Sequence, residues 1–265
     1  MALRRRPRPR RSIDRAGLPE AENRRRHDAG QRQVAAALAD GSIQVEAQPI
    51  VDLATGAIVG TDALFGHRRP VGDSSVEVLL ARPLLAEAGG DAVIELNALL
   101  VEGVGAMSVG AAGISRYGIA DGLVSVTVDD RFVASDEFLT TVKESVRRAD
   151  LEPSQLVLSI DAKPGFEPLW TNLQRLKSHG VRVALDGFVL GDAPIEILRR
   201  YPFDLIRFAA PSTGEGGELL ASTVRLAHNL GCAAIADRVE TAAQAAGLRC
   251  SGTDLAVGPF FDTAG

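Results

Sequence analysis

Five strand-like segments, each followed by a helix-like segment, run in order through the second half of the chain. The strand segments are LVSVTV, QLVLSI, VRVALD, DLIRFA and AAIAD. Strands separated by helices of this length form parallel βα units. An initial strand pair, IQVEAQPIVDL and IVGTDALFG on either side of ATG, adds two more strands. The sequence therefore predicts an α/β fold, a (β/α)8 TIM-like barrel of the usual size of about 250 residues.

Two other features of the chain bear on this fold. An open doubly wound sheet is the competing architecture, but no GxGxxG follows the first strand to favour it. The apolar stretch from Val76 to Met107 predicts helices broken by Pro83 and by Gly89–Gly90. No apolar run reaches the roughly 18 residues of a membrane span. We therefore expect a soluble domain over residues 31–265.

The charge of the chain is divided unevenly. Residues 1–27 hold ten arginines and three acidic residues, a net of +7, which leaves −12 for the rest of a chain whose net charge is −5. We expect residues 1–30 to be a disordered basic arm that is a solvated extension or contacts an acidic partner. The acidic body argues against nucleic acid as the main ligand. No apolar segment follows the arginines, which argues against a secretion signal and favours a cytoplasmic location.

Polar residues at the ends of the predicted strands are the candidates for chemistry, because the active sites of such barrels lie at the C-terminal ends of the strands. Carboxylates are frequent among them, as a divalent-metal phosphate chemistry would need. These residues are Asp62, Thr127, Asp129, Ser159, Asp161, Asp186, Arg207, Asp237 and Glu240.

Three of these stretches carry a resemblance to a known family. From about residue 31 to 261 the chain resembles an EAL domain, the family of cyclic di-GMP phosphodiesterases. QPIVDLATGAIVGTDAL is similar to the opening strand pair of the family, DGFVLGDAPIEILRRYPFDLIRF to its paired-aspartate segment, and LGCAAIADRVET to its Ala-Glu-Gly-Val-Glu-Thr stretch. The resemblance implies a barrel with one antiparallel strand. It also implies two Mg²⁺ or Mn²⁺ ions that activate a water molecule to open cyclic di-GMP.

Five positions keep all or part of what the family has there. Asp186, the first of the paired aspartates, and Glu240 match the family pattern. Asp62 stands where the signature has glutamate, and Asp237 stands at the glutamate to which the family gives the role of general base. Arg207 stands at a lysine. The resemblance therefore implies remnants of a catalytic centre at these five positions.

The remaining positions of the implied site are altered. Thr127 stands at an asparagine, Ser159 at a glutamate and Gly187 at the second of the paired aspartates, and all three belong to the implied metal site. The positions implied for gripping the nucleotide differ as well; these are Gly66, Val189, Leu190, Gly191, Ala193, Pro194 and Val257. Thr and Ser are weak ligands for Mg²⁺, and glycine offers no side chain. We therefore expect a degenerate member of the family with no bound metal cofactor.

Three functions follow from this pattern. The favoured one is a catalytically inactive regulatory or protein-interaction module of bacterial signalling, with a protein partner and with homodimerisation left open. The second is a cyclic di-GMP receptor that binds without hydrolysis. The third is a weak phosphodiesterase that uses Mg²⁺ or Mn²⁺ at a site displaced toward the barrel mouth, formed by Asp129, Asp161 and Asp186. The simpler alternative for these aspartates is that they cap the turns or helices that follow their strands.

Overall fold

The computed structural model describes residues 36, 43–68, 76–79, 93, 95–101, 103, 122–161, 167–188, 195–211 and 217–262. The strands are β1 (Ile43–Asp52), β2 (Ile58–Arg68), β3 (Val76–Leu79), β4 (Leu123–Val128), β5 (Leu156–Asp161), β6 (Arg182–Asp186), β7 (Leu205–Ala209), β8 (Ala233–Asp237) and β9 (Leu255–Ala256). The helices are α1 (Asp130–Val133), α2 (Phe138–Arg148), α3 (Glu167–Lys177), α4 (Ile195–Arg200), α5 (Gly217–Asn229), α6 (Ala242–Cys250) and α7 (Pro259–Asp262). Residues 95–101 are also helical.

Eight of the described strands close into a barrel. The hydrogen-bonded order is β1-β2-β4-β5-β6-β7-β8-β9, and β9 pairs with β1 to complete the circle. β1 is antiparallel to both of its neighbours, whereas every pair from β2 through β4 to β9 is parallel. The predicted TIM-like barrel with one antiparallel strand is confirmed.

Two strands differ from the sequence-based expectation. β3 forms where a helix is predicted, and it pairs antiparallel with the end of β2 outside the closed circle. A short apolar run is ambiguous between helix and strand, and here pairing with β2 decides the outcome. β9 has only two residues and carries no periodic signal, yet it joins β8 to β1.

The strands separate two apolar cores because successive side chains of a strand point to opposite faces. The larger core lies between the strands and the helices and includes Val183 and Leu185 of β6. The smaller one fills the interior of the barrel, and Ala184 of the same strand belongs to it. We call this interior set the lumen core; its buried members are Ile50, Val157, Ala184, Leu205, Ile235 and Val257.

Some of the predicted features fall outside the described residues. They are the basic arm and five of the nucleotide-grip positions, Val189, Leu190, Gly191, Ala193 and Pro194. Among the helices that can be described, none combines the length and the apolar character that crossing a membrane requires.

Candidate functional site

A single arginine crosses the barrel interior at the polar end of the lumen. Arg207 lies on β7, and its side chain is 5% exposed. Its Nη2 and Nη1 atoms donate to the two carboxylate oxygens of Asp62 at 2.6 and 2.8 Å. Asp62 lies on β2, which is four strands away from β7 in either direction around the closed barrel. The two-pronged ion pair therefore ties opposite walls of the barrel together.

Arg207 also engages the strands between these walls. Its Nε donates to both carboxylate oxygens of Asp237 on β8 at 2.7 Å. Its Nη1 donates to Ser125 Oγ on β4 at 2.8 Å and more weakly to Ser159 Oγ on β5 at 3.5 Å. We call Asp62, Ser125, Arg207 and Asp237 the arginine cluster. Five donors in a planar fork let one guanidinium satisfy all of these acceptors at once.

The charges of the arginine cluster do not balance. One guanidinium faces Asp62 and Asp237, and Asp186, 5% exposed, is close enough to act on Asp237 as well. Burial raises the pKa of Asp237 to about 6; Arg207 opposes the rise, whereas the charges of Asp62 and Asp186 add to it. Burial also disfavours the charge of Arg207, but the attraction of Asp237 and Asp62 outweighs burial and raises its pKa further. Arg207 is therefore a permanent cation inside the barrel.

Asp186 and Asp161 lie side by side at the end of the lumen. They occupy paired positions of the parallel strands β6 and β5, and paired residues of a parallel ladder face the same side of the sheet. One layer deeper, Thr127 of β4 pairs with Ser159 of β5 in the same way. The implied metal positions on these three strands are thus neighbours in space, as their placement at strand ends predicts.

Asp129, the third residue of the displaced site, has a different role from Asp161 and Asp186. Its carboxylate caps α1 by accepting from the backbone N–H of Arg131 at 2.9 Å, and it pairs with Arg131 Nε at 2.7 Å. Burial opposes the charge of Asp129, but the hydrogen bonds from Arg131 hold its pKa below the usual value. Asp129 has the capping role that the sequence analysis gives as the alternative. In the described part of the chain, no three His, Cys, Asp or Glu side chains are gathered so that they could hold a metal ion.

The backbone at the end of β6 is left-handed at position 187, where the family resemblance implies the second paired aspartate. Gly187 has φ +66°, in the left-handed region that favours glycine. A similar conformation follows β8, where Arg238 has φ +57°. An aspartate at position 187 would adopt this region more readily than most residues, but still at a cost. An aspartate restored at position 187 would therefore have to adopt a left-handed backbone conformation.

The remaining positions of the implied site are spread over different environments. Glu240 is exposed and directly precedes Thr241, the N-cap of α6. Val257 is buried in the lumen core, with 3% exposure. Gly66 lies on β2, beyond the part of that strand that pairs with β4. The described residues of the implied nucleotide grip are therefore a buried valine and a glycine.

Two polar residues with central roles were missed at the sequence level. Ser125 belongs to the arginine cluster, and Asn97 is fully buried and accepts from the backbone N–H of Asp129 at 2.9 Å. Ser125 could have been found, because it lies two residues before Thr127 and thus on the same face of β4. Nothing in the sequence around Asn97 signals its contact with Asp129.

The strands form a closed α/β barrel with one antiparallel strand, and ionisable residues converge at the C-terminal ends of its strands. These two features define the class of a TIM-like barrel protein. The particular family follows from comparison with known proteins. The chain belongs to the EAL domain family, whose model matches residues 31–264.

Known proteins similar to this chain agree with the family. An uncharacterized protein of Azorhizobium caulinodans is 25% identical over 233 residues, which are 84% of this chain and 31% of that protein. Among solved structures, the EAL enzyme Bd1971 in its cGMP-bound form has a TM-score of 0.76 at 17% identity and covers 91% of this chain and 68% of its own. The PaMucR phosphodiesterase in complex with c-di-GMP has a TM-score of 0.72 at 20% identity and covers 87% and 94%. The two structural likenesses establish the fold.

The chain spans about a third of the length of the curated Azorhizobium relative and 27% of the length of another, the uncharacterized protein y4lL of Sinorhizobium fredii. What those longer proteins do as a whole therefore enters here only as a proposal.

Proposed function

We propose that this EAL domain is catalytically inactive and acts as a regulatory protein-interaction module in bacterial signalling. The observation that carries the proposal is the placement of Arg207. Its guanidinium lies among Asp62, Asp237 and Ser159, three of the positions at which the family resemblance implies the catalytic centre. A fixed cation with its own hydrogen bonds replaces the function that a bound cation would have there, which is to neutralise buried carboxylates.

The residues present do not fit a pair of divalent metal ions. Mg²⁺ requires near-octahedral coordination by oxygen ligands, and metal sites rely on deprotonated carboxylates that are free to bind. Both oxygens of Asp62 and both of Asp237 accept hydrogen bonds from Arg207. A divalent cation would have to displace the guanidinium and would otherwise be repelled by it. This mismatch argues against two-metal hydrolysis and supports the absence of a metal cofactor.

The two alternative functions have less support. PaMucR is a phosphodiesterase that was solved with c-di-GMP, so binding without cleavage is a natural second hypothesis for a chain with the same fold. However, Val257 is packed into the lumen core, where it offers a nucleotide no hydrogen bond. The displaced metal site lacks its third member, because Asp129 is committed to α1 and Arg131.

The test is an incubation of the full chain with cyclic di-GMP and Mn²⁺, in which nucleotide binding and linear product are followed in parallel. We expect no product and no binding at micromolar concentration. The comparison variant is Asp186→Ala, which removes the one of the paired aspartates that the chain retains. Product that disappears in Asp186→Ala would establish a residual phosphodiesterase, and binding without product would establish a receptor.

The location and partners of the module are part of the same proposal. We propose that it works in the cytoplasm, where an EAL domain would meet its signalling partners, and that its contacts are with another protein. The basic arm, with its net charge of +7, offers one surface for an acidic partner. A homodimer is compatible with the proposal and would be revealed by light scattering of the full chain.

A further inference from the structure

Positive charge is concentrated at one sector of the end of the barrel where the parallel strands begin. The last turns of α2, α3 and α4 each carry two Lys or Arg residues. The last turn of α5 carries only His228, and that of α6 only Arg249. Basic residues at helix C-termini complement the helix dipole, but that effect alone would favour all five helices alike. The concentration on one sector requires another explanation.

Part of this charge is neutralised within the molecule. Glu144 pairs with Arg147 at 2.8 Å and lies 3.8 Å from Arg148, and Asp204 pairs with Lys177. Arg249 donates to the backbone oxygen of Leu53. Each of these basic residues therefore already has a partner within the chain.

Four exposed arginines of the same sector have no such compensation. They are Arg175, Arg182, Arg199 and Arg200, and we call them the basic patch. In the described part of the chain, no ion pair joins any of them to a carboxylate. The Cζ atom of Arg200 lies 5.5 Å from the ring centroid of Tyr201, a contact that leaves its hydrogen-bond donors available.

The fold brings the elements that carry the basic patch together. α3 and α4 are the two helices that precede and follow β6 in the chain, and Arg182 is the first residue of β6. The segment after α4 lies against the start of β6, because the N–H of Asp204 donates to the oxygen of Val183 at 2.8 Å. The ring of Tyr201 packs on that of Trp170 of α3 at 4.8 Å. The patch is therefore one surface and not four scattered charges.

We propose that the basic patch binds an acidic segment of a partner protein. Arginine forks form two-pronged hydrogen bonds with carboxylates, so they suit Asp and Glu side chains. Duplex DNA presents one charge per about 1.7 Å of its axis and needs a long basic surface. A short acidic polypeptide fits a local patch of four arginines.

This inference rests on the proposed function for its purpose, since it names the surface and the partner chemistry of an interaction module. The probe is poly-L-glutamate, titrated into the full chain at low and at physiological salt. The test variant is Arg175→Glu/Arg199→Glu. The control is Lys143→Glu/Arg225→Glu, which makes the same change of net charge at exposed positions of α2 and α5 that are not among the four residues of the patch. Any binding of the probe by the basic arm is common to both variants, so only their difference reports on the patch.

We expect the patch variant to lose about tenfold in affinity relative to the control variant, with a weaker salt dependence. We also expect Arg182→Gln/Arg200→Gln to bind the probe more weakly than the control variant. Weaker binding in this second double variant would show that the loss in the first does not come from a folding defect specific to it. Equal losses in the patch and control variants, or no binding of poly-L-glutamate at low salt, would overturn the proposal. Tighter binding of duplex DNA that is lost only in the patch variant would assign the patch to nucleic acid instead.

The two proposals fail separately. Hydrolysis of cyclic di-GMP would overturn the inactive module and leave the affinity difference between the two charge-reversal variants intact. Conversely, equal affinities of those variants would remove the acidic partner while the chain remained without hydrolytic activity.

Discussion

The two halves of the barrel interior are stabilised in opposite ways. The lumen core contains apolar side chains such as Leu205 and Ile235, which need only fit together. The arginine cluster contains three ionisable groups, of which Arg207 and Asp62 are buried and Asp237 is 22% exposed, and each depends on the others. Removing water from apolar groups is favourable, whereas removing it from charges is costly unless the charges are paired. Substitutions in the lumen core should therefore cost less stability than substitutions in the arginine cluster.

Only a small cavity separates the arginine cluster from the lumen core. A cavity of about 10 Å³ is lined by Ser125, Ser159 and Arg207 on one side and by lumen-core residues on the other. This volume is close to the lower limit of about 10–15 Å³ for one water molecule. Little empty space therefore remains between the two serine side chains and the lumen core. The guanidinium of Arg207 fills the volume that larger side chains at the serine positions would occupy.

The largest effect is expected from Arg207→Ala. This change leaves Asp62 and Asp237 buried and unpaired, which costs about 3–5 kcal/mol of the free energy of unfolding. Urea denaturation followed by circular dichroism measures it. The control is Arg207→Lys, which keeps the charge but cannot fork between two carboxylates and should cost clearly less. A loss below about 1 kcal/mol for Arg207→Ala would mean that the cluster does not depend on its cation.

The next effect concerns the excess negative charge of the arginine cluster. The pKa of Asp237 rises from 3.8 in the unfolded chain to about 6 in the fold. Protonated Asp237 therefore makes its full contribution to the stability of the fold below about pH 4, and this contribution is lost as the pH rises through about 6. With about 1.4 kcal/mol per pKa unit, this group changes the free energy of unfolding by up to about 3 kcal/mol.

The measurement is the free energy of unfolding between pH 4 and pH 7, in the original chain and in Asp237→Asn. The asparagine cannot ionise, so the variant should lack this part of the pH dependence. Asp136→Asn is the control, because Asp136 is an exposed carboxylate in the turn before α2. The same slope in the original chain and in Asp237→Asn would contradict the charge imbalance.

A smaller effect is expected in the lumen core. Ile235→Val removes one methyl group from a side chain that is 2% exposed, and such changes cost about 0.5–1.5 kcal/mol. The loss should not depend on pH, since no ionisable group is altered. Comparison with Asp237→Asn, two residues further along β8, separates packing from charge on the same strand. A pH-dependent loss in Ile235→Val would show that the two halves are coupled through the intervening cavity.

Most of the barrel could be predicted from the sequence, because its signal is local. LVSVTV and AAIAD form strands with the predicted limits, since alternating side chains mark the first and a short apolar run that ends at Asp237 marks the second. The stretch VEVL was misread because a four-residue segment with three apolar residues fits a helix or a strand equally well. β9, with two residues, became a strand only through its neighbours.

The site could be predicted only in part, because its decisive contacts are not local. The sequence placed Asp62, Arg207 and Asp237 at the ends of strands, and the fold does bring them together. However, Arg207 is 145 residues from Asp62 in the chain. No sequence pattern predicts the direction in which the side chain of Arg207 extends. The change from an expected lysine to arginine therefore looked conservative, whereas a forked guanidinium makes contacts with four strands that a lysine could not make together.

The smallest expected effect is the result of restoring the altered family positions. In Gly187→Asp/Asp62→Glu/Ser159→Glu, three positions again carry the residues that the family resemblance implies, and two of them gain a carboxylate, yet we expect no rise of Tm in millimolar Mn²⁺ or Mg²⁺. Arg207 would still occupy the centre and pair with the carboxylates, and the aspartate at position 187 would start from a left-handed backbone, φ +66°. Thermal unfolding with and without EDTA measures the effect.

The decisive comparison adds Arg207→Lys to this triple variant. A lysine has one charged nitrogen and a flexible stem, so it can withdraw from the centre where a guanidinium cannot. If Tm then rises with Mn²⁺ and falls again with EDTA, Arg207 is the group that excludes the metal. If the triple variant alone responds to Mn²⁺, a divalent cation can displace the guanidinium, and the argument that Arg207 takes the place of a bound cation fails.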